Sequence, residues 1–84
     1  MNPADNQGNQ LNQELKIKSI LSDHLGIAIH DLTPNADLRE DLNAEELEIA
    51  DLLMKLEKEL AIRISREDAK RIKTVGDILE YFQD

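Results

Sequence analysis

The sequence predicts an all-α fold, a bundle of three main helices and one short helix, with a long loop between the first and the second. Apolar residues recur three and four positions apart in the longer segments, which is the spacing of one helix face. Residues that favour helix N-caps precede three of these segments. The alternating apolar and polar stretch at residues 61–64 is too short to form a sheet by itself.

Length and composition limit the chain to one small domain. We expect residues 1–10 to form a disordered polar tail and residues 11–84 to form a single helical domain. The absence of cysteine excludes a disulfide framework, a thiolate metal site and a cysteine nucleophile. The first ten residues lack the apolar segment of a signal peptide, and no apolar run reaches transmembrane length. These features predict a cytoplasmic protein without membrane insertion.

The first helix is predicted over residues 10–25, with Gly26 placed to end it. Its inward face consists of Leu11, Ile17, Ile20, Leu21, His24 and Leu25. The loop over residues 27–43 is long for a compact domain, so we expect apolar residues to order it from within. These residues are Ile27, Ile29, Leu32, Leu38 and Leu42. A short helical turn near residues 37–41 fits within this loop.

The second helix is predicted from Ala44 to Leu60, with Asn43 as N-cap and two glutamates in the first turn, where carboxylates are favoured. On a helical wheel its apolar residues divide into two sets. The core stripe contains Ile49, Leu52, Leu53, Leu56 and Leu60. Leu47, Ala50 and Met54 lie more than about 90° from the centre of that stripe, among carboxylates. This second strip indicates a surface that the helix presents to a partner.

Two shorter helices follow the second helix. Ser65 is a suitable N-cap for a short third helix whose Ala69 and Ile72 face inward. Thr74 and Asp77 have the spacing of a capping box at the start of the last helix. The inward face of this last helix is supplied by Ile78, Leu79 and Phe82.

Charge is concentrated in the second helix. Residues 40–60 hold eight acidic and two basic side chains, which is most of the net charge of −8. This distribution argues against nucleic acid or an anionic membrane as a partner and favours a basic protein surface. The alternative is a solvated helix face that serves solubility. The basic residues form one cluster, which consists of Arg63, Arg66, Lys70, Arg71 and Lys73. We interpret this cluster as positive charge that balances the acidic helix, rather than as a separate anion-binding site.

The residue pattern does not indicate an enzyme. No nucleophile is paired with a base, no ligand cluster has zinc spacing and no glycine-rich phosphate loop is present. Carboxylates are abundant, yet nothing in the sequence marks two of them as a buried acid and base pair. We therefore predict neither a catalytic site nor a bound metal.

The run DLREDL at residues 37–42, followed by Ala44, Leu47, Asp51 and Leu52, resembles the acyl carrier proteins, in which D-L-x-x-D-L-G-A-D-S-L opens the second helix. The resemblance covers residues 14–82 without gaps. It implies an acyl-carrier-like four-helix bundle whose acidic second helix is the recognition helix. It also implies a role in fatty acid or polyketide metabolism.

One position departs from the resembled family. In those proteins the serine of D-S-L carries 4′-phosphopantetheine, and here Glu46 stands in its place. A carboxylate cannot form the phosphodiester that a hydroxyl forms. Glu46 either imitates the charge of the phosphodiester or simply suits the first turn of a helix. The turn also reads Asn43 and Glu45 where the family has glycine and aspartate, which favours natural divergence.

These observations predict a monomeric interaction module without a cofactor, which docks acyl-chain-processing enzymes that present basic surfaces. The expected partner-binding residues are Asp41, Glu45, Leu47, Glu48, Asp51, Met54 and Glu57. The alternative is a genuine acyl carrier protein that has lost its serine through a mutation of this particular chain, or that carries the arm on another residue.

Overall fold

A computed structural model describes the backbone of residues 3–82 and the side chains of residues 13–82. The helices are α1 (Pro3–Leu25), α2 (Glu46–Leu60), α3 (Arg66–Arg71) and α4 (Val75–Phe82), with a 3-10 turn at Ile29–Asp31 between α1 and α2. This architecture confirms the predicted bundle of three main helices and one short third helix. Over residues 3–82 the only extended pairing is a single bridge between Asp37 and Thr74. No helix in this range is long and apolar enough to span a membrane.

The core is formed by the inward faces of α1, α2 and α4 together with the long loop. Its fully buried side chains are Ile17, Leu21, Leu32, Leu38, Leu52, Leu56, Val75 and Ile78. The periodic faces predicted for the three main helices are therefore the faces that pack, because burying these stripes removes the largest apolar area from water. No polar or charged side chain of residues 13–82 is buried.

α1 begins earlier than the sequence predicts. The helix starts at Pro3, so residues 3–10, expected to be a disordered tail, are helical in the structure. Proline suits the first turn of a helix, because its fixed φ is helical and its missing N–H needs no partner there. Met1, Asn2 and the side chain of Leu11 lie outside the described residues. Gly26 ends the helix with a φ of +68°, as predicted.

The loop between α1 and α2 is attached to α4 and the residues before it by backbone hydrogen bonds. The N–H of Gly76 donates to the carbonyl of Pro34 at 2.9 Å, and the N–H of Val75 donates to the carbonyl of Ala36 at 3.0 Å. These bonds satisfy donors at the first turn of α4 that have no partner within the helix. Of the apolar residues expected to order the loop, Ile29 is the exception. It lies in the 3-10 turn with 43% of its surface exposed.

The predicted caps of α3 and α4 are confirmed. The hydroxyl oxygen of Ser65 accepts the N–H of Asp68 at 3.1 Å. Thr74 Oγ1 accepts the N–H of Asp77, and Asp77 Oδ2 accepts the N–H of Thr74, both at 3.1 Å. These two reciprocal bonds make a capping box, with aspartate in place of the more usual glutamate or glutamine.

Candidate functional site: the outer face of α2

α2 has the two apolar sets that the helical wheel predicts. Leu52, Leu53 and Leu56 are buried, and Ile49 and Leu60 pack against the core while partly exposed. On the other side of the helix the side chains face solvent. Leu47 is 78% exposed and Met54 is 63% exposed. Two large apolar side chains of this helix therefore remain in contact with water.

α2 starts two residues later than the sequence predicts. Its first residue is Glu46 and its N-cap is Glu45, whose N–H donates to Glu48 Oε1 at 3.0 Å. Asn43 is not the N-cap, because it adopts a left-handed conformation with φ of 57°. Asparagine tolerates this conformation better than most residues with a side chain. The left-handed Asn43 therefore turns the chain before α2. The buried Ala44 and the N-cap Glu45 follow it, and the helix begins at Glu46.

Glu46 projects into solvent from the first turn of α2. Its side chain is 87% exposed, and its Oε1 lies 3.7 Å from Nη2 of Arg39, in the preceding loop. Both partners are exposed, so this ion pair stabilises the fold by at most about 1 kcal/mol. The ion pair matters more for the local charge, because it places the guanidinium of Arg39 beside the Glu46 carboxylate at the start of α2.

The backbone around Arg39 is fixed by two aspartates. Asp37 Oδ1 accepts the N–H groups of Arg39 and Glu40, both at 2.9 Å, and Asp41 Oδ2 accepts the N–H of Asp37 at 2.7 Å. The N–H of Asp41 in turn donates to the carbonyl of Asp37, so a single helical turn forms where one was expected. Asp41, expected to bind a partner, is therefore engaged within this turn, although its side chain remains exposed.

The other carboxylates predicted to bind a partner differ in exposure, since three of them are exposed and one is partly buried. Glu48 and Asp51 are exposed on α2, on the helix that carries the two large apolar side chains, and the N-cap residue Glu45 is also exposed. Glu57 is only partly exposed, and its Oε2 accepts the N–H of Ile64 at 2.7 Å, so this carboxylate secures the connector to α3. A charged acceptor for a partly buried N–H is a strong form of hydrogen bond. Nothing in the local sequence indicates this contact.

Two properties of the titratable side chains of residues 13–82 bear on the site, their spacing and their pKa values. Among the described side chains, no three histidine or acidic residues converge to hold a metal ion. Both clear pKa shifts are on α4. The hydrogen bond from the Lys73 N–H holds the pKa of Asp77 below its ordinary value of 3.8. Burial raises the pKa of Tyr81, whose hydroxyl lies 3.2 Å from Asp68 Oδ2.

The three serines of the chain lie away from the start of α2. Ser19 is an exposed residue of α1. The hydroxyl of Ser22, also in α1, donates to the carbonyl of Ile27. Ser65 caps α3. No serine hydroxyl therefore stands at the first turn of α2.

A groove of about 570 Å³ lies between α2, the turn at residues 37–42 and α3. Its apolar lining consists of Leu38, Ile49, Ala50, Leu53, Ala69 and Ile72. Its charged lining consists of Asp37, Arg39, Glu40, Glu46, Lys70 and Lys73. Sequence reasoning missed this groove, because its walls come from three segments that are brought together by folding.

Comparison with known proteins gives concordant matches over most of the chain. The family model described as "Phosphopantetheine attachment site" matches residues 15–82. The acyl carrier protein of Chlamydia trachomatis is 40% identical over 68 residues, which cover 81% of this chain and 88% of the relative. The acyl carrier protein of Chlamydia muridarum shows the same identity over the same length.

Solved structures agree with these sequence matches. A Mycobacterium tuberculosis protein assigned as an acyl carrier protein superposes with a TM-score of 0.75 at 35% identity, covering 81% of this chain and 90% of the other. The acyl carrier protein of Enterococcus faecalis has a TM-score of 0.75 at 32% identity, covering 87% of this chain and 92% of the other.

Proposed function

This chain belongs to the acyl carrier protein family, and from that premise we propose that it is an interaction module that docks acyl-chain-processing enzymes without carrying 4′-phosphopantetheine. Members of the family are carriers rather than enzymes, so no catalytic activity is assigned to the chain. The proposal has two parts, which are the loss of the prosthetic group and the use of the outer face of α2 for docking.

The first part rests on Glu46, which stands where the resembled family has the attachment serine. A serine hydroxyl attacks phosphorus and keeps a stable phosphodiester, whereas a carboxylate would give a mixed anhydride that water hydrolyses. The exposed position of Glu46 at the first turn of α2 supports this reading, since it is accessible but has the wrong chemistry. The hydroxyls of Ser22 and Ser65 are engaged in hydrogen bonds elsewhere in the fold.

The second part rests on the composition of the outer face of α2. Leu47 and Met54 supply exposed apolar contact area, and Glu48 and Asp51 surround it with negative charge. Such a surface fits a partner with apolar pockets inside a basic patch, because opposite charges steer the encounter and apolar contacts hold the complex. We assign the chain the monomeric state, with α2 free for the partner.

The alternative is a genuine carrier, which the family description of a phosphopantetheine attachment site favours. In that case the arm would have to be attached to a residue other than a serine at the start of α2. The two functions differ in a covalent modification and can therefore be separated by mass.

The test is the intact mass of the protein before and after incubation with coenzyme A, magnesium and a broad-specificity phosphopantetheinyl transferase. We expect the parent protein to remain unmodified and the Glu46→Ser variant to gain the phosphopantetheine mass. A Ser65→Ala change in both proteins serves as a control that should alter neither result. Modification of the parent protein would contradict the loss of the prosthetic group. Failure of the variant as well would show that the surface read by the transferase has diverged.

A further inference from the structure

We propose that the docking surface of α2 continues across the neighbouring groove onto a rim of three cations, and that the fitting partner carries acidic side chains beside its basic patch. The cationic rim consists of Arg39, Lys70 and Lys73, which all line the groove and are all exposed. This inference rests on the proposed function, since it specifies the partner of the same site.

Backbone hydrogen bonds hold the two segments that carry the cationic rim. Arg39 lies in the turn that the Asp37 carboxylate secures. The carbonyl of Lys73 accepts the N–H of Leu38 at 2.9 Å, which ties the end of α3 to that turn. Lys70 lies in α3 and lines the same groove. The three cations therefore come from two segments that hydrogen bonds hold against each other.

The rim is continuous with the outer face of α2. Ala50 and Glu46 line the groove and also belong to the exposed side of the helix. Between them and the rim lies an apolar floor that includes Leu53 and Ile72, which are 6% and 7% exposed. A partner that covers Leu47 and Met54 and extends past Ala50 would therefore meet the groove and then its cations.

The carboxylates that line the groove form no ion pair with its two lysines. Lys73 also interacts electrostatically with the carboxylate of Asp77, which lies outside the lining of the groove. Asp37 is used within its turn, and Glu46 lies beside Arg39, so Glu40 is the remaining carboxylate of the lining. Within residues 13–82 the side chains of Lys70 and Lys73 form no ion pair. A uniformly basic partner would set like charges against them, whereas a partner with flanking carboxylates would pair with them.

The first test measures whether the rim repels a uniformly basic face. The probe is a phosphopantetheinyl transferase chosen for a basic carrier-binding face. The starting protein is the parent, which keeps Glu46 beside Arg39. One triple variant neutralises the rim with Arg39→Gln, Lys70→Gln and Lys73→Gln. The control neutralises three exposed arginines that do not line the groove, with Arg63→Gln, Arg66→Gln and Arg71→Gln. Both triple variants have the same net charge.

We expect the rim triple to bind the transferase about tenfold more tightly than the parent protein, and the control triple to gain less than about threefold. The difference should shrink in high salt, because exposed charges are screened. Equal gains in the two triples would mean that net charge alone matters and would overturn the proposal. No gain in the rim triple would overturn it as well. Thermal unfolding of both triples verifies that the fold is kept.

The second test measures attraction directly, on the parent protein. Two helical peptides of identical lysine, leucine and glutamate content are compared, one with its glutamates clustered at one end and the other with them scattered. We expect the parent protein to bind the clustered peptide at least about threefold more tightly, and the rim triple to lose that preference. Equal affinity for both peptides would overturn the inference. Loss of the prosthetic group is judged separately by mass, so the two proposals can fail independently.

Discussion

Glu57 Oε2 accepts a hydrogen bond from the backbone N–H of Ile64 at 2.7 Å, across a span of seven residues. This hydrogen bond ties the last turn of α2 to the connector before α3, where Ile64 is partly buried. Ala61, at the end of α2, adopts a left-handed conformation with φ of 55°, which turns the chain so that this contact forms. The carboxylate therefore helps to set how α3 closes one side of the groove.

Replacing Glu57 should destabilise the fold. We expect Glu57→Ala to lower the free energy of unfolding by about 1–2 kcal/mol, because the partly buried N–H of Ile64 loses a charged acceptor. Glu57→Gln should lose less, since its amide oxygen still accepts. Urea unfolding measures both. Glu59→Ala, at an exposed position of the same helix, should change stability by less than about 0.5 kcal/mol. Equal losses at the two positions would contradict the structural role of Glu57.

The capping carboxylate of Asp77 predicts a specific pH dependence. It accepts the N–H groups of Lys73 and Thr74, and the first of these is the main cause of its lowered pKa. A lowered folded-state pKa contributes stability above the unfolded value of 3.8, and this contribution is lost as the pH falls through the folded value. At pH 7, Asp77→Asn should cost about 0.3–1 kcal/mol, because the amide oxygen can still accept these bonds but the negative charge in the first turn is lost.

Unfolding measured from pH 6 down to pH 2 tests this dependence. The stability difference between the parent and Asp77→Asn should be constant down to about pH 5 and then shrink below pH 3.8. Glu80→Gln is the control, because it removes an exposed carboxylate of the same helix that takes no part in the capping box. If the difference for Asp77→Asn stayed constant down to pH 2, the carboxylate would not favour its ionised form in the fold.

Gly76 is required by the close approach of two backbone segments. A Cβ at this position would lie 2.9 Å from the carbonyl oxygen of Pro34, the same oxygen that accepts the Gly76 N–H. Alanine would therefore force α4 and the long loop apart. We expect Gly76→Ala to lower the free energy of unfolding by about 1–3 kcal/mol. A glycine to alanine change in an unobstructed helix would instead stabilise the fold by roughly 0.5–1 kcal/mol. The sign of the measured change in unfolding free energy therefore distinguishes a clash with Pro34 from an unobstructed position.

The two exposed apolar residues of α2 should matter for docking and not for folding. Leu47→Glu and Met54→Glu should each weaken binding of a partner by about tenfold or more, while the melting temperature stays nearly unchanged. Binding can be measured with the transferase on the Glu46→Ser background. Leu53→Glu is the matched control, since it places a charge at a buried position and should unfold the protein. Large unfolding by either surface variant would mean that this strip belongs to the core.

The sequence by itself determined the four helices, the C-terminal ends of α1 and α2 and the burial of the helix faces, but not where α1 and α2 begin. Helical periodicity separated Leu52, Leu53 and Leu56 from Leu47 and Met54, and the structure confirms both sets. The sequence also predicted the helix caps at Ser65 and Thr74, and the structure confirms them. These features depend on residues within about one turn of each other, so composition and spacing contain the information needed.

Only the tertiary structure decided which groups the charged side chains near the site contact. The position of Arg39 beside Glu46, the use of Glu57 by Ile64 and the groove containing Lys70 all depend on contacts between separate elements. The start of α2 also depends on a contact between separate residues. The left-handed Asn43 precedes Ala44, which is buried and whose N–H donates to the carbonyl of Leu38 at 2.8 Å. Exposed charges gain little from any one neighbour, so their partners are set by where the packed apolar faces leave them.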